Sequence, residues 1–112
     1  MEDFGQLTER SKQEIEAGSR ELGLPESGYF VEKAAELLAG LRLWRQDHDR
    51  ADEGVHEILT TGDIEALQDA VRELRDRGTP EAREASESIV GIMRMPARER
   101  QGIVSHACLA FC

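Results

Sequence analysis

Residues 29–59 read YFVEKAAELLAGLRLWRQDHDRADEGVHEIL, and this stretch carries the clearest periodic pattern in the chain. The positions that define the pattern recur at alternating steps of four and three residues, and they are Phe30, Ala34, Leu37, Leu41, Trp44, His48, Ala51, Val55 and Ile58. Such spacing is typical of a helix that packs alongside another helix at a shallow angle. It predicts one helix from Tyr29 to Leu59, about 45 Å long at about 1.5 Å per residue.

The polar segment from Asp47 to Gly54 leaves a second interpretation open, in which this helix breaks. We predict the unbroken form. A long helix with one apolar face needs a partner helix, and a second copy of the chain can supply it. The hypothesis is therefore a homodimer, and its interface side chains would be Phe30, Leu37, Leu41, Trp44 and His48.

Local start and stop signals predict a helix before this stretch. An apolar stripe favours a helix from about Gln6 to Leu22. Gly23 suits the residue just past a helix end, and Pro25 cannot continue a helix. Ser27 is a plausible capping residue for the helix that follows.

Similar signals divide the second half of the chain. Asp63 is a good N-cap for a helix that Gly78 closes. Thr79 followed by Pro80 opens another helix, because proline is favoured at the first helical position. Pro96 ends that helix. Together these signals predict an all-α bundle of four to five helices, with residues 1–96 as a recognition domain and 97–112 as a tail or last helix.

The charge balance excludes some classes of partner. A net charge of −9 creates a field that repels phosphate backbones and anionic lipids. The composition therefore argues against nucleic-acid and membrane partners. The first residues lack the basic and apolar regions of a signal peptide, which predicts a cytoplasmic protein. No phosphate-binding loop or catalytic triad spacing is present in the sequence, so we do not expect an enzyme.

One candidate metal site lies in the long helix. Glu53 and His56 are three residues apart, so they share a helix face as in carboxylate-bridged di-iron bundles. A full site would need a second copy of the pair from a dimer, with Glu32 or Glu36 as the bridging carboxylate. The alternative is an ordinary solvated helix face on an acidic chain.

A second candidate metal site lies in the tail. His106, Cys108 and Cys112 offer an imidazole and two thiolates, which suit Zn²⁺ or Cu(I). In a helix, Cys108 and Cys112 share a face while His106 points away, so all three converge only if the tail uncoils. The alternative for Cys108 is a small buried apolar side chain.

The tail also differs in composition from the rest of the chain. Its last ten residues, IVSHACLAFC, contain no Asp, Glu, Lys or Arg. This ending resembles the core region of precursors of ribosomally made, modified peptides of the linaridin and thioamitide groups. The resemblance implies that Cys112 is oxidatively decarboxylated and joined to Ser105 or Cys108 in an aminovinyl-cysteine ring.

Three functions follow as hypotheses. The first is a non-catalytic helical protein that binds partner proteins and presents a C-terminal Cys tail, which would make it a peptide precursor recognised by a modifying enzyme. The second is a small metal or thiol carrier that uses Zn, Cu or Fe. The third is a helical adaptor or regulatory protein without a ligand, in which the tail is part of the core.

Overall fold

The computed structural model of the chain describes residues 2–24 and 28–111. Within these ranges the chain is helical and contains no β-strand, which confirms the predicted all-α class. The helices are α1 (Phe4–Glu21), α2 (Gly28–Arg45), α3 (Ala51–Thr61), α4 (Ile64–Asp76), α5 (Pro80–Met93) and α6 (Ala97–Cys108), followed by a 3₁₀ turn, η1 (Leu109–Phe111).

Capping residues set most of the helix starts. The Asp3 side chain accepts a hydrogen bond from the Gln6 main-chain N–H, and the Gln6 side-chain oxygen accepts one from the Asp3 main-chain N–H, so α1 begins with a capping box. Asp63 caps α4, and Thr79 caps α5 with Pro80 in its first turn, as predicted. Pro25 and Ser27, the predicted stop and cap between α1 and α2, lie outside the described residues.

Helix α2 lies at the centre of the fold. Apolar side chains occur on all its faces, and α1, α3, α4, α5 and α6 all pack against it. A helix that is apolar all round must be covered on all sides, which explains why several short helices surround this one. Its buried residues are Val31, Ala34, Ala35, Leu37, Leu38, Ala39, Gly40, Leu41, Arg42, Leu43 and Trp44.

The predicted unbroken helix from Tyr29 to Leu59 is wrong, because α2 ends at Arg45 and α3 starts only at Ala51. The described part of the chain therefore has six α-helices rather than four or five. Arg50, just before α3, adopts a left-handed backbone with φ 55°. The turn that ends at Arg50 lets α3 pack against α2.

The end of α2 is stabilised by residues from α4 and its C-cap. Arg77 donates hydrogen bonds to the main-chain oxygens of Leu43, at 3.0 Å, and Trp44, at 2.8 Å. The last carbonyls of a helix have no partner within the helix, so Arg77 satisfies two of them. The indole Nε1 of Trp44 also donates to Glu73 at 2.7 Å. These long-range bonds favour a break after Arg45.

The residues predicted to pair two copies of the chain have a different role within one copy. Leu37, Leu41 and Trp44 lie in the core, and Phe30 is half-buried against it. His48 is exposed in the segment between α2 and α3. Pairing through the three core side chains would require α2 to leave its own bundle. Self-association of the chain stays a prediction.

Candidate functional site

The C-terminal segment is folded against the bundle. Ile103 and Ala107 of α6 are fully buried, and η1 packs on α1. The contact between η1 and α1 depends on Gly18, because a Cβ atom there would overlap the main-chain carbonyl of Leu109. Residues 97–111 thus form a last helix and turn, which is one of the two interpretations of the sequence. Cys112 lies outside the described residues.

The two histidines predicted as metal ligands lie against aromatic rings. His106 stacks on Phe30, with ring centroids 5.3 Å apart, and its Nδ1 lies 2.8 Å from the main-chain oxygen of Gly102. His56 stacks on Phe111 at 4.8 Å. Both imidazoles thus pack against an aromatic ring, His56 at an exposed position and His106 at a half-buried one.

The structure does not bring together His106 and Cys108, the two predicted tail ligands that it describes. His106 packs on Phe30 of α2, whereas Cys108 lines a separate cavity next to α3. Within residues 2–24 and 28–111, no three His, Cys, Asp or Glu side chains form a group that could hold a metal ion. A site that includes Cys112 stays a prediction.

Glu53 and His56, the predicted metal-binding pair in α3, contact different residues. Glu53 is exposed and lies 3.9 Å from Nη1 of Arg50, while His56 stacks on the tail. Of the two proposed bridging carboxylates, Glu32 is exposed and Glu36 lies 3.5 Å from Nζ of Lys33. The di-iron hypothesis needs a second copy of the chain and likewise stays a prediction.

Ser105 and Cys108 share one face of α6. Both line an open cavity of about 770 Å³ between α6 and α3, which His56 and Arg100 also line. Ser105 is exposed and Cys108 is half-buried. The cavity places the two possible ring partners of Cys112 on one accessible side of the helix.

A buried arginine, which the sequence analysis did not single out, joins three helices. The Arg42 side chain is only 4% exposed. Its Nη2 lies 2.8 Å from Oε2 of Glu14 on α1, and its Nε lies 3.1 Å from Oδ1 of Asp52 on α3. Nη1 donates to the buried Ser11 hydroxyl at 3.0 Å. Arg42 uses its guanidinium donors within the fold, so its role is structural.

Two further groups extend this network. Arg10 bridges Glu2, at 2.8 Å, and Glu14, at 3.1 Å. The hydrogen bond to Glu2 is the main cause that raises the pKa of Arg10 above its ordinary value. On the other side, the Arg42 guanidinium lies 5.4 Å from the centre of the Phe111 ring. The network therefore connects the start of the chain to η1.

The remaining candidate is a groove between α4 and α5, which we call the α4–α5 groove. Its apolar surface comes from Val71 on α4 and from Val90 and Met93 on α5, and its volume is about 490 Å³. Val71 is nearly buried, and the other two are half-buried. The polar residues that complete its lining are Gln68, Arg72, Arg75, Asp76 and Arg94.

Arginines dominate the rim of this groove. Arg72 pairs with Asp69 at 2.7 Å. Arg75 and Arg94 are exposed and form no ion pair within residues 2–24 and 28–111. Both lie at helix C-termini, where positive charge offsets the partial negative charge of the helix end. Two guanidinium groups beside an apolar floor are nonetheless open to a partner.

Comparisons with known proteins give no relative from which a role could be inferred. No protein-family model, curated protein or solved structure matches the chain. Among the described residues, none of the helices has both the length and the apolar character needed to cross a membrane.

Proposed function

We propose that this chain is a non-catalytic helical protein that acts by binding a partner protein in the α4–α5 groove. The observation that carries the proposal is an apolar groove whose charged lining is three arginines and one acid, Asp76, in a chain whose net charge is −9. Arg72 is paired with Asp69, so Arg75 and Arg94 supply the accessible positive charge. Arginine is enriched at protein interfaces and often contributes strongly to binding. In an acidic chain, such a local cluster of positive charge selects its partners by charge.

Both components of the groove favour binding. Covering Val90 and Met93 would remove apolar surface from water, at roughly 25 cal/mol per Å². The exposed guanidinium groups of Arg75 and Arg94 can each donate two parallel hydrogen bonds to a carboxylate. The apolar floor supplies affinity and the rim supplies selectivity, as in interfaces that have an apolar centre and a polar edge.

A triple substitution tests this proposal. Changing Arg72, Arg75 and Arg94 to Gln removes the positive rim while leaving the floor in place. A matched control changes Arg20, Arg83 and Arg98 to Gln, which are exposed and lie outside the groove. Both variants lose the same charge, and Arg20 also lies in the last turn of a helix. Comparing the two variants therefore separates the effect of the groove arginines on binding from the effect of the protein's net charge.

The measurement is quantitative affinity purification from the source cells, followed by calorimetry with each purified partner. We expect at least one partner to bind the wild type and the control equally, and to bind the groove variant roughly tenfold more weakly. If all partners bind both variants alike, or none binds the wild type directly, the groove is not the functional surface.

A second candidate function is a substrate for a peptide-modifying enzyme, and the shared cavity of Ser105 and Cys108 favours it. Oxidative decarboxylation of Cys112 would release CO₂ and transfer two hydrogens to the flavin of the modifying enzyme. The remaining enethiol would add to a dehydrated Ser105 or a desulfurised Cys108. A ring onto Ser105 would include the buried Ala107, which would have to leave the bundle, whereas a ring onto Cys108 includes neither Ala107 nor Ile103.

Intact-mass spectrometry after co-expression with a flavin-dependent cysteine decarboxylase encoded near this gene tests that candidate. We expect a mass loss equal to CO₂ plus two hydrogens in the wild type and no loss in a Cys112→Ser variant. An unchanged wild-type mass, or the absence of any such neighbouring gene, would contradict it.

A further inference from the structure

We propose that the α4–α5 groove binds an acidic amphipathic helix of a partner protein, with apolar side chains on the groove floor and carboxylates on the arginine rim. The inference rests on the proposed function and adds the chemistry of the partner.

The arginines are distributed along the groove rather than gathered at one point. Arg72 and Arg75 are three residues apart on α4, so they lie about one turn from each other along one wall. Arg94 lies on the other wall, at the end of α5. One anionic headgroup would occupy only part of this rim. A helix with carboxylates three or four residues apart presents several charges at matching intervals.

The groove is a shallow apolar feature between two helices. Its volume of about 490 Å³ accommodates large side chains such as Leu or Phe. Grooves formed by packed helices commonly receive the apolar face of a partner helix through residues at i, i+3, i+4 and i+7. The half-buried Val90 and Met93 offer a floor of this kind, and the flexible Met93 side chain can adapt to the entering group.

A second copy of this chain fits the groove poorly. In a two-fold symmetric dimer centred on the groove, each copy would bring three arginines and one aspartate, Asp76, against the same set, so like charges would outnumber opposite ones. Docking of an acidic helix from another copy would be heterologous and would build a ring or an open filament rather than a two-fold dimer. The favoured occupant is therefore a different, acidic protein.

A panel of synthetic 16-residue amphipathic helices provides the test. All peptides share a Leu or Phe apolar face, and their flanks carry either Glu or Lys. Binding is followed by chemical shifts of the full-length protein, with sodium laurate as a separate probe for a single-headgroup amphiphile. The protein variants are wild type, the Arg72, Arg75 and Arg94 to Gln variant, and the control triple variant described above.

We expect the Glu-flanked peptides to shift the resonances of Val71, Val90 and Met93 in wild type and control. Binding should weaken roughly tenfold in the groove variant and fall as salt is raised toward about 1 M. An additional variant, Met93→Ala, should weaken binding without changing its salt dependence, because it alters only the floor.

Three binding results would overturn the inference, namely equal binding of Lys-flanked peptides, binding of laurate in the groove with no peptide bound, and no shifts with any peptide. Self-association that buries the groove, seen by analytical ultracentrifugation, would also overturn it. In any of these cases, a groove-dependent partner found by affinity purification would leave the proposed function standing. If no groove-dependent partner were found either, both the inference and the proposed function would be contradicted.

Discussion

Replacing Gly18 with Ala is expected to destabilise the protein by about 2 to 3 kcal/mol, although alanine normally favours helices over glycine by about 1 kcal/mol. The added methyl group would overlap the main-chain carbonyl of Leu109. Main chain cannot rotate away as a flexible side chain can, so η1 must shift from α1. The contact of Phe111 with His56 and Arg42 would then loosen.

Matched controls come from two other glycines inside helices. Gly54 in α3 and Gly91 in α5 have no atom within 4 Å of an added Cβ. Alanine at either position is expected to stabilise the protein by up to about 1 kcal/mol. Urea unfolding measures all three variants. A Gly18→Ala protein as stable as wild type, with Phe111 still stacked on His56 by NMR, would show that η1 does not dock on α1 as described.

The second large effect is expected at Arg42. Replacing it with Met would keep much of the side-chain volume but remove the charge between Glu14 and Asp52. Those carboxylates are 31% and 55% exposed, so water offsets part of the loss. The expected destabilisation is about 2 to 3 kcal/mol, below the roughly 3 to 5 kcal/mol for breaking a fully buried pair.

Two further variants test why Arg42→Met loses stability. Arg42→Lys retains the charge but cannot reproduce the planar set of donors, so its stability should lie between Arg42→Met and wild type. Arg72→Met removes an exposed pair with Asp69 and should cost at most about 1 kcal/mol. If Arg42→Met were as stable as wild type in urea, the three-helix network would contribute nothing to the fold.

Local chemistry in the sequence was sufficient to predict several helix boundaries. Asp63 and Thr79 cap the next helix through bonds to residues three positions away, so their effect is visible within a short window. The pattern of Leu37, Leu41 and Trp44 likewise identified a buried face. Caps and periodic apolar positions arise from residues that are close together in the sequence, so the sequence alone is enough to identify them.

The break after Arg45 depends on a distant residue. Arg77 contacts the end of α2 from more than 30 positions away, and periodicity carries no information about that contact. One signal was nevertheless present, because Leu38 and Leu43 lie off the predicted seam and are also buried. A helix that is apolar on several faces indicates a central position in a bundle rather than one side of a dimer.

The candidate sites show the same limit. In a helix, residues two positions apart point in different directions, so the sequence could predict that His106 and Cys108 diverge. In the structure His106 packs on Phe30 of α2, and Cys108 lines the cavity next to α3. The sequence could not show that Arg75 and Arg94 border one groove, because that requires the packing of α4 against α5. Arginines on a polar helix face are usually solvated, so their spacing gave no reason to select them.

Photo-crosslinking in the source cells tests the central claim, that the α4–α5 groove is a partner-binding surface, most directly. A photoreactive phenylalanine derivative replaces Met93 in the groove, and the control carries it at the exposed Gly91, which lines a different cavity. The expected result is a crosslink from position 93, but not 91, to a partner segment rich in Glu or Asp beside apolar residues. Crosslinks that are equal at both positions, or that join only copies of this chain, would contradict the claim.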